Sequence, residues 1–162
     1  MRDAMAQATR KAARASGGRP VPADNLHVTL AFLGSVPERR LGELAQIASA
    51  AARGSRLEIA FDRLELWQAA HLLCALPAEP PPPVIALARG LQDQLAARGF
   101  APDLKPFRPH VTVVRKVSRP GRSEKMHPVV WSFTELALVE SRTLPAGALY
   151  SVVESYLLCS RK

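Results

Sequence analysis

The sequence is poor in the features that mark membrane, secreted and disulfide-stabilised proteins. No apolar run approaches the roughly 18 residues of a membrane span, and the first residues lack the apolar core of a signal peptide. The two cysteines, Cys74 and Cys159, lie in apolar stretches, so we expect buried, unpaired thiols. Aromatic residues make up 6% of the chain, which argues against extensive base stacking along a single strand. These absences predict a globular protein of the cytoplasm.

Positive charge is the most informative feature of the composition. The 162 residues include 22 Lys+Arg and 14 Asp+Glu, which gives a net charge of +8 and a pI near 10.3. This excess favours an anionic partner, and we expect a diffuse field that steers RNA without reading its sequence. Charge alone does not exclude a basic protein that has no such partner.

Hydrophobic periodicity predicts three helices, over residues 3–15, 37–53 and 84–99, and a series of strands. Ser35 and Glu38 form a plausible capping box for the second helix, and Gly54 is placed to end it. The strands are predicted over residues 25–33, 57–61, 64–68, 71–76, 111–117, 131–139 and 149–159. We expect the proline-rich run 77–83 to be a stiff connector and residues 118–128 to form a mobile loop.

One short motif occurs twice in this chain. His27-Val28-Thr29-Leu30 and His110-Val111-Thr112-Val113 both follow a helix and a proline-containing segment. The repeat predicts an α+β fold in a single domain over residues 1–162, with two pseudo-symmetric lobes of antiparallel sheet, outer helices and a central cleft. Only the second half places a strand before its helix, so a first N-terminal strand is expected to be missing. We expect a monomer, or a strand-exchanged dimer if that slot is open.

The repeated motif carries the residues for acid–base chemistry. Side chains at i and i+2 of a strand share a face, so His27 with Thr29 and His110 with Thr112 are expected to line one groove. A neutral imidazole accepts a proton, and a protonated one donates it. The two hydroxyls can hold the non-bridging oxygens of a phosphate. This set is sufficient for in-line attack on a phosphodiester without a metal or another cofactor.

Other interpretations of the motif are possible. A single His-x-Thr is most simply a polar pair on a solvent-facing strand, whereas two copies in matched contexts favour catalysis. Catalytic zinc needs about three closely spaced protein ligands, and each motif supplies one histidine, so no metal site is predicted. A non-catalytic RNA-binding module is an alternative of a different class. A protein-interaction scaffold has only the proline-rich run 77–83 in its favour.

Further residues are candidates for binding the substrate. Arg115, Lys105 and Arg108 flank the second motif and could neutralise phosphate charge, and each could equally be an ordinary surface cation. Tyr150 could stack on a base. Four other aromatic and histidine residues are interpreted as structural or non-catalytic: Trp67, Trp131, His71 and His127.

The paired motifs resemble those of the two-histidine (2H) phosphoesterase superfamily. Residues 18–34, GRPVPADNLHVTLAFLG, and residues 105–115, KPFRPHVTVVR, look like its RNA 2′,3′-cyclic phosphodiesterase branch, also called the 2′-5′ RNA ligase family. The resemblance covers nearly the whole chain. Two departures are the expected lack of a strand before the first helix and Lys105 in place of a common arginine, which keeps the charge but loses bidentate geometry.

The resemblance implies hydrolysis of a terminal 2′,3′-cyclic phosphate on RNA to a 2′-phosphomonoester. His27 would donate a proton to the leaving 3′ oxygen, and His110 would activate water. The reverse reaction with an RNA 5′-hydroxyl would form a 2′-5′ linkage without ATP. Hydrolysis of a small cyclic phosphate, such as a cyclic nucleotide or an ADP-ribose cyclic phosphate, is the alternative within the superfamily.

Overall fold

Contacts between residues assign the chain to two units, each assembled from three segments. The computed structural model describes residues 1–53, 56–102, 105–119, 121, 123–144 and 147–158. Unit 1 contains Met1–Thr29, Glu58–Pro81 and Arg108–Trp131. Unit 2 contains Leu30–Leu57, Pro82–Phe107 and Ser132–Lys162. The histidine and the threonine of both copies of the repeated motif therefore belong to unit 1.

Unit 1 is built on a five-stranded sheet and one helix, α1 (Arg2–Ala15). The strands are β1 (Arg19–Pro20), β2 (Leu57–Trp67), β3 (Leu72–Leu76), β4 (Val111–Arg115) and β5 (Glu124–Phe133). Their order in the sheet is β1-β4-β3-β2-β5, and β4 pairs antiparallel with both β1 and β3. This places β4, which follows His110 directly, inside the sheet.

Helix α1 packs against β4 through residues spaced four apart, the spacing that keeps side chains on one face of a helix. Met5, Thr9 and Ala13 are buried, and α1 contacts β4. The Thr9 hydroxyl donates a hydrogen bond to the Met5 carbonyl at 2.9 Å, so its burial leaves no polar atom unpaired. Val111 and Val114 of β4 are fully buried. One face of the sheet is therefore an apolar core, which leaves the other face for polar side chains.

Unit 2 contains two helices and a two-stranded antiparallel sheet. The helices are α2 (Leu41–Ala51) and α3 (Pro82–Ala97), and the strands are β6 (Glu135–Leu144) and β7 (Gly147–Leu157). Its core joins one face of each helix, at Leu44, Ile47, Leu91, Leu95 and Phe100. The Arg40 guanidinium lies 3.7 Å from the Phe100 ring centroid and covers this core at one end.

The three helices, the strand predicted over 71–76 and the α+β class with antiparallel sheets are confirmed. The single domain and its central cleft stay predictions. Residue Trp131 is buried against Phe61, as its structural interpretation requires. Cys74 is a buried free cysteine, whereas Gly54 and Cys159 lie outside the described residues.

The strand predicted over residues 25–33 is wrong. Ala23–Asn25 forms a short 3-10 helix, and residues 26–33 belong to no strand. A run of β-forming residues records how well side chains fit a half-buried sheet surface, but a strand also needs a hydrogen-bonded neighbour. In the part of the chain that the structure describes, residues 26–33 pair with no strand, although His27 and Thr29 keep the half-buried environment of a sheet surface.

Several predicted boundaries also change. Residues 57–61 and 64–68 join in one strand, β2, and Lys116 takes a left-handed φ of +55° that ends β4 before residue 117. The predicted strand 131–139 is divided, because β5 ends at Phe133 and β6 begins at Glu135. Strand β5 and helix α3 also begin inside the predicted loop and connector. The predicted capping box is wrong, because a 3-10 helix over Glu38–Arg40 precedes α2. Pro37 is the N-cap of the 3-10 helix and Arg40 that of α2, and neither makes a side-chain cap hydrogen bond.

Candidate active site

The second histidine, His110, is held by one hydrogen bond and one ring contact. Its Nδ1 lies 2.7 Å from the carbonyl oxygen of Arg108. Its ring packs on the Trp67 indole, with ring centroids 4.5 Å apart and planes inclined by 52°. Position and orientation of the imidazole are therefore both fixed.

The first histidine repeats the hydrogen bond of the second. His27 Nδ1 lies 2.7 Å from the carbonyl oxygen of Asn25, again two residues earlier in the chain. A carbonyl oxygen can only accept, so Nδ1 donates its hydrogen in both residues. The proton that each imidazole gains or loses in solution is then the one on Nε2. Both motifs thus assign acid–base chemistry to the same ring atom.

The protonation of His110 is shifted by its surroundings. Burial lowers its pKa below the ordinary histidine value, and the positive charges of Arg108 and His27 lower it further. The hydrogen bond to the Arg108 carbonyl acts in the opposite direction and is smaller than the effect of burial. The lowered pKa favours the neutral form of His110 near pH 7. The charge of His27 also acts on His110, which puts the two imidazoles within electrostatic range.

A row of polar side chains crosses the middle of the sheet. Glu65 of β2 pairs with Cys74 of β3, and Cys74 pairs with Thr112 of β4. Residues directly opposite each other share a face, and the Cys74 sulfur lies 3.8 Å from the Thr112 hydroxyl oxygen. Burial raises the pKa of Cys74 to about 11, so it stays a thiol at neutral pH. Thr112 therefore lies on the face that carries Glu65, beside a protonated thiol.

Glu65 links the two residues that hold His110. Its Oε1 accepts a hydrogen bond from Trp67 Nε1 at 2.9 Å, and its Oε2 accepts one from an Arg108 terminal nitrogen at 2.8 Å. The Arg108 hydrogen bond is the main cause that lowers the pKa of Glu65. Trp67 contacts the His110 ring, and Arg108 supplies the carbonyl for its Nδ1. Glu65 thereby joins both supports of one imidazole.

A β-bulge places Arg115 on the same face as Thr112. Leu72 of β3 pairs with Arg115 and Cys74 pairs with Thr112, so three residues of β4 span two of β3. Because Leu72 and Cys74 share a face, their partners do as well. In a regular strand, a spacing of three would direct Arg115 to the opposite face. The bulge thus adds a positive charge to the His110–Thr112 face.

The predicted site residues fall into two groups. Six belong to unit 1: His27, Thr29, Arg108, His110, Thr112 and Arg115. Lys105 and Tyr150 belong to unit 2, where Lys105 is exposed and Tyr150 pairs with Ser141 across β6 and β7. Arg108 is engaged by Glu65, so part of its charge is already compensated.

Three residues of this face were missed as site residues by the sequence analysis: Glu65, Trp67 and Cys74. Glu65 and Trp67 stand at i and i+2 of a strand, which is the one signal that could have grouped them. Their approach to His110 depends on strand register, which the sequence does not display. His71 and His127 lie elsewhere, since His71 Nδ1 is 3.1 Å from the Val117 carbonyl in a turn and His127 is exposed on β5.

Two structural features are absent from the described residues. No three or more His, Cys, Asp or Glu side chains converge there as metal ligands would. No described helix is both long and apolar enough to cross a bilayer.

The chain is similar to phosphoesterases in sequence and in structure. The sequence model of the "LigT like Phosphoesterase" family matches residues 3–71 and 75–150. A protein of Thermus thermophilus named RNA 2′,3′-cyclic phosphodiesterase is 32% identical over an aligned length of 176, with 98% of this chain and 84% of that protein covered. A protein of the same name from Escherichia coli is 37% identical over 101 residues, which are 62% of this chain and 57% of that protein.

Solved structures give the same relationship over the whole fold. The crystal structure of Escherichia coli LigT complexed with 3′-AMP has a TM-score of 0.85 and 28% sequence identity, with 97% of this chain and 90% of that chain covered. The structure of TT0787 from Thermus thermophilus has a TM-score of 0.84 and 26% identity, with 99% of this chain and 93% of that chain covered.

Proposed function

The chain belongs to the LigT-like phosphoesterase family, and we propose that it hydrolyses the terminal 2′,3′-cyclic phosphate of RNA to a 2′-phosphomonoester. The observation that carries the proposal is the matched pair of histidines. Each imidazole donates from Nδ1 to the carbonyl two residues earlier, at 2.7 Å, and therefore offers Nε2 to a substrate. Two such groups in opposite protonation states are an acid and a base for one displacement at phosphorus.

His110 is the base in this reaction. Its lowered pKa supports the neutral form, whose Nε2 accepts a proton from water as the water oxygen attacks phosphorus. The bond between phosphorus and the 3′ oxygen breaks on the other side. His27 Nε2–H gives its proton to that oxygen, and the product carries a 3′-hydroxyl and a 2′-phosphate. The direction of ring opening rests on the family resemblance.

Hydroxyls and arginines bind the phosphate. Thr29 and Thr112 donate to its non-bridging oxygens, whose charge grows as the water attacks. Arg115, placed on the Thr112 face by the bulge, neutralises that charge. Lys105, Arg108 and Tyr150 stay proposed contacts to the rest of the substrate, although the ion pair between Arg108 and Glu65 favours a positioning role for Arg108.

RNA is the proposed partner, and the net charge of +8 supports it by attracting a polyanion. We further propose that the protein acts in the cytoplasm and as a monomer. An RNA 5′-hydroxyl that attacks phosphorus in place of water opens the same ring and forms a 2′-5′ linkage, with the 3′ oxygen again leaving as a hydroxyl. No metal or other cofactor takes part in these steps.

The test is hydrolysis of a short RNA that ends in a 2′,3′-cyclic phosphate, in excess EDTA, with the product identified by phosphorus NMR. A 2′-phosphate is expected. A 3′-phosphate would reverse the roles of the two histidines, and activity lost in EDTA but restored by a divalent metal would contradict the metal-free mechanism. Adenosine 2′,3′-cyclic phosphate, run beside the RNA, tests the alternative of a small cyclic substrate. RNA binding without turnover, unchanged in His110→Ala, would indicate a binding module.

A further inference from the structure

Strand β1 places a second arginine directly opposite Arg115. The register of β1 and β4 pairs Arg19 with Arg115 and Pro20 with Val114. Directly opposite residues project from the same face, and the bulge has put Arg115 on the face of Thr112. Arg19 therefore extends that face by one strand. Like charges in such a pair repel each other, and an anion bound between them removes the repulsion.

The position of β1 on β4 is tightly fixed. A Cβ on Gly18 would lie 2.6 Å from Val114 Cγ1 and 2.7 Å from the Arg115 carbonyl oxygen, so only glycine permits this approach. On the other side of Arg19, Val21 N donates to the Val113 carbonyl at 2.9 Å. Contacts both before and after Arg19 thus hold its backbone in place.

The Arg19 side chain is exposed and available to a ligand. The ion pairs found among the described residues involve Arg40, Arg108 and Arg142, and none involves Arg19. A guanidinium carries five donors in a planar fork that matches phosphate oxygens. Exposure, a second arginine opposite and a fixed backbone together describe a binding position for a phosphate.

We propose that Arg19 binds the phosphate on the 5′ oxygen of the terminal nucleotide, which makes the enzyme recognise an RNA end rather than a nucleoside cyclic phosphate. The inference rests on the proposed function. Arg19 lies one strand away from Arg115, and Arg115 lies two pairing positions along the sheet from Thr112. Together these two steps separate the Cα atoms of Thr112 and Arg19 by about 8 Å. The terminal ribose carries the cyclic phosphate on its 2′ and 3′ oxygens and the next phosphate on its 5′ oxygen. A cation displaced in this way from Thr112 suits the second phosphate.

The experiment compares four substrates that all end in a 2′,3′-cyclic phosphate. They are adenosine with a 5′-hydroxyl, adenosine with a 5′-phosphate, the dinucleotide ApA, and ApA with a neutral methylphosphonate linkage. The wild-type chain is compared with Arg19→Gln. Arg10→Gln is the matched control, because it removes the same charge from α1, where Arg10 lines a groove with Pro20 and Val113 on the other side of the sheet.

For the two substrates with a charged 5′-phosphate, Arg19→Gln is expected to lower kcat/KM about tenfold. Both substrates without that charge should change less than about twofold, as should every substrate with Arg10→Gln. On the methylphosphonate, kcat/KM of the wild-type chain should fall to the value that Arg19→Gln shows on ApA. For Arg19→Gln itself, kcat/KM should be the same on ApA and on the methylphosphonate. The loss caused by Arg19→Gln on ApA should also become smaller as the salt concentration is raised, because salt screens the attraction between the guanidinium and the phosphate.

An equal loss on all four substrates, or no loss on any, would overturn the inference. So would a loss confined to the 5′-phosphorylated nucleoside, since an RNA end presents a diester. If the wild-type chain hydrolyses none of them, the proposed function fails, and the inference is tested by binding alone. Calorimetric titration with 3′-AMP and with ApA bearing a 3′-phosphate should then show about a tenfold weaker Kd for the dinucleotide in Arg19→Gln. If the wild-type chain and Arg19→Gln bind the dinucleotide with the same Kd, the inference about Arg19 is wrong.

Discussion

The two His-x-Thr motifs share one chemical arrangement but lie in different structures. The second leads into β4, which pairs with β1 and β3, whereas the first follows a 3-10 helix and lies in no described strand. Even so, His27 and His110 each place Nδ1 2.7 Å from the carbonyl two residues earlier. The ring geometry is therefore set by the few residues before each histidine and does not require a sheet.

The surroundings of the two motifs are not equivalent. His110 packs on Trp67, and its pKa is lowered mainly by burial. Three residues after the threonine, the second motif has Arg115, while the first has Phe32, which is 64% exposed. The second motif thus combines the proposed base with a cation that we propose to bind the phosphate. A sequence repeat can preserve a reactive group while its environments diverge to give different roles.

The largest expected effect comes from removing either imidazole. His27→Ala and His110→Ala should each lower kcat by about 10³-fold, because each removes one of two proton transfers. His127→Ala, an exposed histidine of β5 in the same unit, is the control and should retain activity. If only one of the two motif variants loses turnover, the paired mechanism is wrong.

A substrate with sulfur in place of the bridging 3′ oxygen separates the two roles. A thiolate leaves without receiving a proton, so this substrate should restore most of the activity of His27→Ala and little of that of His110→Ala. The reverse pattern would exchange acid and base. Single-turnover rates of both variants on the two substrates provide the measurement.

The next largest effect is expected from the hydroxyls. Thr29→Val and Thr112→Val keep the side-chain shape but remove a donor to the phosphate, and each should lower kcat by about 10²-fold. Thr112→Ser, which retains a hydroxyl beside Cys74, should recover most of that loss. A loss at Thr112 alone would show that the first motif contributes only its histidine.

Glu65 provides a change confined to the second motif. Glu65→Gln weakens its contacts with Arg108 and Trp67, which support His110, so kcat should fall about tenfold with KM little changed. Glu124→Gln, an exposed carboxylate on β5, is the control.

Trp67→Ala should move the acid limb of kcat/KM to higher pH, because water then reaches His110 and its pKa rises. If the acid limb of Trp67→Ala stays at the wild-type pH, even with a tenfold loss of kcat, the proposed contact between Trp67 and the catalytic imidazole is wrong.

The smallest effect is a displacement in the pH profile of the wild-type chain. His110 acts in its neutral form and its pKa is lowered, so kcat/KM should fall with acid around a midpoint below the ordinary histidine pKa of about 6.5. Initial rates at low substrate between pH 4.5 and 8 measure it. An acid-limb midpoint above about 6.5, or a flat profile, would contradict the assignment of His110 as a base whose pKa is lowered by burial.

Local information was sufficient for one part of the molecule and insufficient for another. The sequence was sufficient to predict helix α1 and to single out the two histidines and their threonines as candidates, because these depend on spacing within a few residues. The approach of Glu65 and Cys74 to Thr112 was not predictable, since it depends on the register of three strands that are far apart in the chain. The bulge that turns Arg115 toward Thr112 likewise leaves no mark in the sequence. For residues 26–33, β propensity was misleading because no described strand pairs with them.

The arrangement of prolines in the five-stranded sheet has a consequence for self-association. Pro20 lies in β1 and Pro128 in β5, the two outermost strands, while the inner strands β2, β3 and β4 contain none. A proline offers no N–H to an incoming strand, so each border of the sheet has an interruption in its row of donors. Each proline thereby removes one of the hydrogen bonds that an added strand would need, which weakens strand addition at the two outermost strands.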